Sequence, residues 1–171
     1  MSATPDVRAA KQPVTTLAGP YGHPLHPALV TVPIGAWVAS LVFDLLTRWS
    51  DEPEAFARGS AWLIGVGLGG AVLAACFGLL DLLAVPQGTP AFRTGLVHMA
   101  CNLTAVALYG VSLAVRIGSV DEGDVTVAGF ALSVAALALV GVSGWLGGKL
   151  AYRYGVRVAD EGTQAEGYRR T

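Results

Sequence analysis

Four long apolar runs, separated by short polar stretches, organise the chain. They cover residues 27–47, 61–83, 94–115 and 125–150. Each reaches the ~20 residues that carry a helix across the hydrocarbon core of a bilayer. The connections are too short to return a helix other than antiparallel to the last. The pattern therefore predicts an all-α polytopic membrane protein, four transmembrane helices in an up-down bundle, over residues 21–155. Residues 1–20 are polar and lack the short apolar core of a cleavable signal, so they read as a disordered cytoplasmic tail, with the first membrane helix acting as the targeting element. Residues 156–171 read as a flexible cytoplasmic tail.

Prolines and glycines punctuate the runs. Pro27 suits the first helical turn, with His26 at the cap, and Pro24 keeps His23 extended. Pro33 lies inside the first span and predicts a bend that frees a carbonyl near Leu29. Gly65 and Gly69 in the second span, and Gly144 and Gly148 in the fourth, stand four apart. That spacing predicts close helix–helix seams in lipid. Residues 84–90 form a turn-rich loop. Each hairpin opens with a histidine-bearing helix and closes with a glycine-rich one, a faint sign of tandem duplication.

Composition agrees. Hydrophobic residues make up 53% and charged residues 13%, against a usual charged share of roughly 25%, and the mean hydropathy is +0.56. A net charge of −1 offers no basic surface for nucleic acid. The two cysteines, Cys76 and Cys101, fall inside predicted spans at similar depth, which excludes a secreted disulfide framework. Of the 11 basic residues, 8 lie on the side holding both termini and only Arg48, Arg58 and Arg116 on the other. Both termini are therefore expected in the cytoplasm.

That topology brings the three histidines to one level. His98 shares a helix face with Cys101, Asn102, Tyr109 and Ser112, and in lipid such a face must look into the bundle. Intramembrane ionisable groups are costly and commonly functional. Two readings follow. Either the histidines coordinate a metal or haem iron, imidazole suiting Zn, Cu and Fe alike, or they lock the packing through hydrogen bonds. The candidate cofactor residues are His26, His98, Asn102 and Trp145. The candidate metal ligands are His23, His26, His98 and Asp81, with Asp81 otherwise orienting an imidazole or pairing with Lys149. Asp44 is expected to pair with Arg48 one turn later. No nucleophile–base constellation or phosphate-binding loop appears, so an enzyme acting by itself is not expected.

Gly22-His23-Pro24-Leu25-His26-Pro27, Pro33-Ile34-Gly35 with Asp44, Gly78-Leu79-Leu80-Asp81, Gly88-Thr89-Pro90, His98 with Asn102, and Gly144-Trp145-Leu146-Gly147-Gly148 before Tyr152-Arg153-Tyr154-Gly155 together resemble one family. It is the bacterial membrane-protein family called domain of unknown function 2231. The resemblance covers residues 21–158 and departs from the family pattern at Lys149, where an acidic residue is common. It implies a four-helix domain of the bacterial inner membrane, in some members fused to a Rieske iron–sulphur domain, and hence electron transfer with a partner. The leading expectation is a redox or cofactor-binding subunit holding b-type haem or a transition metal at the cytoplasmic leaflet. The alternative is a cofactor-free structural or assembly protein whose His/Asp/Trp cluster clasps the hairpins together. A small transporter or proton relay would need a polar stripe through the whole thickness, which the sequence does not display. Expected partners are the lipid bilayer, a Rieske-type or other redox protein, and a second copy in a homo-oligomer.

Overall fold

The structure is a computed structural model and describes residues 5–11, 19 and 23–168. Tyr21, Gly22 and most of the polar N-terminal stretch lie outside the described residues. Among those described, every regular element is helical: α1 (Pro5–Lys11), α2 (Leu25–Leu29), α3 (Thr31–Leu46), α4 (Pro53–Leu83), α5 (Pro90–Arg116), α6 (Val127–Gly148) and α7 (Glu161–Glu166). Four helical stretches are long and apolar enough to cross a membrane: Leu25–Leu46, Pro53–Leu83, Pro90–Arg116 and Val127–Arg153.

Local chemistry sets the boundaries. Pro24, not His26, is the N-cap of α2, so His26 sits inside the first turn, where Pro27 still removes no intrahelical bond. The first span breaks at Val30, between α2 and α3, three residues ahead of Pro33, which cannot bond back to Leu29. The second span starts at Pro53, eight residues before the apolar run suggests. Its extra turns lie outside the apolar run, and they bury Ala57 and Ser60 on one face. Thr89 caps α5 by accepting from the Phe92 N–H at 3.1 Å, so that helix begins four residues earlier than its apolar run. Thr126 caps α6 in the same way through Gly129. The last turn of the fourth span widens into a π-helix, Lys149–Arg153.

The bundle is polar and small inside, apolar outside. Its buried stripes are Ala36, Trp37, Ser40 and Asp44 on α3, and Ala57, Ser60, Ile64, Gly67, Ala74 and Asp81 on α4. Those of α5 and α6 include Ala105, Tyr109, Ser112 and Arg116, and Ser133, Ala136, Val140 and Ser143. Each recurs at intervals of three and four, so one face of each helix looks inward. Leucines and valines such as Val72, Leu73, Leu103 and Val142 face outward. That distribution suits lipid as the solvent.

Helices α3 and α4 make one hairpin and α5 and α6 another, each packed more closely within itself than against the other. Three pairs of side chains 72 residues apart meet between the two: Asp44 meets Arg116 at that separation. Trp37 stacks on Tyr109, its counterpart at the same separation, with ring centres 4.2 Å apart and planes 13° from parallel. His26 faces His98, again its counterpart, at 6.2 Å. The faint duplication in the sequence is therefore a spatial relation, with equivalent side chains meeting along the seam between hairpins.

Candidate functional site

The site is built on that seam. In the first hairpin the His26 Nδ1–H donates to the Ala74 carbonyl at 2.9 Å, 48 residues on. In the second, the His98 Nδ1–H lies 2.8 Å from both the carbonyl and the hydroxyl oxygen of Ser143, 45 residues on. The Ser143 hydroxyl donates in turn to the His98 carbonyl at 3.3 Å. Both rings thus carry their proton on Nδ1, and Nε2 is left with a lone pair. Each imidazole rests on a glycine one turn beyond its acceptor. A Cβ on Gly78 would lie 2.9 Å from the His26 ring, and one on Gly147 3.3 Å from the His98 ring. These two glycines exist in order to seat rings.

The planes of the two imidazoles are 86° apart. Among the described residues every hydrogen bond the two imidazoles make stays within its own hairpin. Asn102, one turn after His98, donates from Nδ2 to the His98 Nε2 at 3.1 Å. His26 Nε2 has no hydrogen bond among the described residues.

The other sequence-derived candidates make no hydrogen bond to either ring among the described residues. His23 precedes α2 and is exposed. Asp81 pairs with Arg157 at 2.7 Å rather than with a histidine or Lys149. Among the described residues no three or more His, Cys, Asp or Glu side chains come together as metal ligands. A four-ligand set of His23, His26, His98 and Asp81 is therefore not formed. Trp145 is 68% exposed on the outer face of α6, with Lys149 Nζ 5.8 Å from its ring centre. It is turned away because Ser143 and Gly147, on the opposite face, take the inward positions. Cys76 is exposed, Cys101 half-buried, and both thiols are free.

Two features escape the sequence. Asp44 does not pair with Arg48; it takes a bidentate pair with Arg116, whose Nη1 and Nη2 reach its two carboxylate oxygens at 2.6 and 2.7 Å. Arg116 also donates to Ser112 from Nε, to Ser60 from Nη1 and to Ser133 from Nη2. Both charged groups are fully buried, and the network ties all four helices at the end opposite the histidines. A helical stripe drawn through His98 passes Arg116 eighteen residues on, which was the available signal. Nearest-turn pairing hid it.

The second feature is the C-terminal segment, expected to be a loose tail. Arg157 folds back so that its side chain is 4% exposed, with φ 59° and its N–H on the Ala10 carbonyl at 2.9 Å. Its Nη1 and Nη2 are buried without partners among the described residues, as are Trp37 Nε1 and Tyr109 Oη. Polar side chains recur through the bundle interior, as the inward face through His98, Asn102, Tyr109 and Ser112 predicts. The stripe is interrupted midway by the Trp37–Tyr109 stack with Ile64, Ala105, Ala136 and Val140, so it is no continuous path.

A family model described as a predicted membrane protein, DUF2231, matches residues 22–160. No curated protein and no solved structure matches the chain.

Proposed function

This chain belongs to the DUF2231 family of predicted membrane proteins, and on that premise we propose that it is a redox subunit of the membrane in which His26 and His98 ligate one b-type haem. The observation that carries the reading is the imidazole pair. Metal-ligating histidines characteristically donate Nδ1–H to a carbonyl and present Nε2; both rings donate in this way, and Nε2 is free of a hydrogen bond among the described residues in His26 and taken by Asn102 in His98. The two ring centres stand 6.2 Å apart across the seam. Two ligands without a third acidic or sulphur donor among the described residues suit a planar group that brings its own nitrogens better than a bare tetrahedral ion.

The hairpin architecture supports the same reading. One ring comes from each hairpin, and the seam between hairpins is the looser contact. His26 and His98 would hold the haem. Ala74 and Ser143 would fix the ring tautomers, and the Asn102 amide would have to release His98 Nε2. Haem supplies one-electron exchange when bound. A single centre of this kind needs an electron partner, for which a Rieske-type protein is the natural class, at a bacterial inner membrane.

The competing reading, a cofactor-free structural protein, is favoured by the Asn102–His98 bond, which completes that ring's hydrogen bonding. An absorption spectrum of protein expressed with ample haem separates the two. A Soret band that shifts on reduction and is lost in both His26→Ala and His98→Ala, with helix content retained, is the expected result. A blank spectrum together with blank metal analysis rejects the redox reading and leaves the structural one.

A further inference from the structure

The fourth span ends in a surface that the histidine site does not use. Gly141 and Gly144 lie on its outer face with no protein atom within 4 Å of where a Cβ would stand, and Gly148 would meet only Tyr152 at 3.9 Å. They are not the helix seam their spacing suggests. They form a furrow along the outside of α6, beside the outward Val134 and Val142. At the end of the helix it opens into a groove of about 420 Å³ lined by Trp145, Gly148, Lys149, Tyr152 and Arg153.

Three observations describe what this groove would take. Lys149 and Arg153 make no ion pair or side-chain hydrogen bond among the described residues, whereas Lys11 and Arg157 at the same end are paired with Glu161 and Asp81. Lys149 Nζ lies between two rings, 5.8 Å from Trp145 and 5.7 Å from Tyr154. Trp145 and Tyr152 are 68% and 92% exposed, which is unfavourable in water and ordinary at the headgroup level of a bilayer. The π-helical turn at Lys149–Arg153 is a further departure of the kind found at functional sites.

We propose that this groove binds an anionic phospholipid: the phosphate on Lys149 and Arg153, the glycerol region against Trp145 and Tyr152, an acyl chain along the glycine furrow. Lipid is favoured over a soluble anion because the cations stand at the end of a strip already open to acyl chains. The site is independent of the histidine pair and of any cofactor held there.

Full-length protein in mild detergent, titrated with phosphatidylglycerol or phosphatidylcholine and read by native mass spectrometry, tests this. Each cation near an anionic headgroup is worth about fivefold in affinity. Lys149→Gln/Arg153→Gln is therefore expected to weaken phosphatidylglycerol retention roughly twenty-fivefold and to leave phosphatidylcholine unchanged. Gly144→Leu fills the furrow with both charges intact and should also weaken it. Arg48→Gln, exposed at the opposite end, should not. Equal retention by wild type and the double variant overturns the proposal. Displacement of phosphatidylglycerol by inorganic phosphate alone would make this a free-anion site and overturn the lipid assignment. A wild-type dimer dissociated by Gly144→Leu would assign the furrow to a second copy and overturn it as well.

Discussion

Arg116 places its N–H donors on Asp44, Ser60, Ser112 and Ser133, with both its own side chain and that of Asp44 buried. Removing one partner of a buried pair leaves the other charge uncompensated and costs about 3–5 kcal/mol. Arg116→Leu is thus expected to lower the thermal unfolding temperature in detergent sharply. Asp44→Leu/Arg116→Leu together should lose less than the sum of the single changes, because no orphan charge remains. The glycine seats make a second, graded prediction. Gly78→Ala must push the His26 ring aside, since the new methyl would stand 2.9 Å from it; Gly147→Ala, at 3.3 Å from His98, needs a shift of a few tenths of an ångström. Imidazole nitrogen NMR signals should move strongly for His26 in the first variant and weakly for His98 in the second. Equal effects would contradict the packing described.

At the scale of elements, the apolar runs located the spans but not their ends. Hydropathy reports which residues tolerate lipid. A helix starts where its first N–H groups find a cap or are absent, and the Thr89 cap and Pro53, which has no N–H, sit outside the apolar runs. Thr89→Ala should accordingly cost about 1 kcal/mol, seen as a lower unfolding midpoint and faster amide exchange near Phe92. The histidine pairing was legible because it follows from topology and one helical face. The Asp44–Arg116 pair was not, because it depends on which helix lies opposite, and a nearer arginine offered itself. The glycine spacing misled for the same reason: Gly65, Gly69 and Gly144 have nothing over them, while Gly67 sits against Trp37. Helix α7 adds a pH-dependent element. Asp160 accepts the Thr163 and Gly162 N–H groups, and these bonds, that of Thr163 first, hold its carboxyl below the usual carboxylate range. A depressed value means the cap stabilises the helix above the ordinary carboxylate pKa and is lost as pH falls through the lowered one. Residues 161–166 should keep helical Cα shifts at neutral pH and lose them only in acid; fraying already at neutral pH would contradict the cap.

For the whole molecule, two similar hairpins lying side by side in the same sense fix a simple consequence. Four crossings return the chain to the side on which it began, so α1 and α7 share one side and the Trp49–Pro53 turn faces the other. The ion pairs sharpen the charge rule. On the turn side Arg116 is neutralised inside the bundle by Asp44, and Arg58 is held by Glu54 and Asp121. Arg48 is left as the basic side chain there without an acidic partner among the described residues. Among the described residues Lys149 and Arg153 stand without an acidic partner on the other side, the one that the count of basic residues expects in the cytoplasm. With Cys76 and Cys101 first replaced by alanine, Ala159→Cys should resist a membrane-impermeant maleimide added to intact cells and react after permeabilisation. Ser50→Cys should react from outside at once. Labelling of both from the same side would break the four-span topology. External labelling of Ala159→Cys alone would keep the bundle and invert it, moving the histidine seam to the outer leaflet and with it the side from which an electron partner must approach.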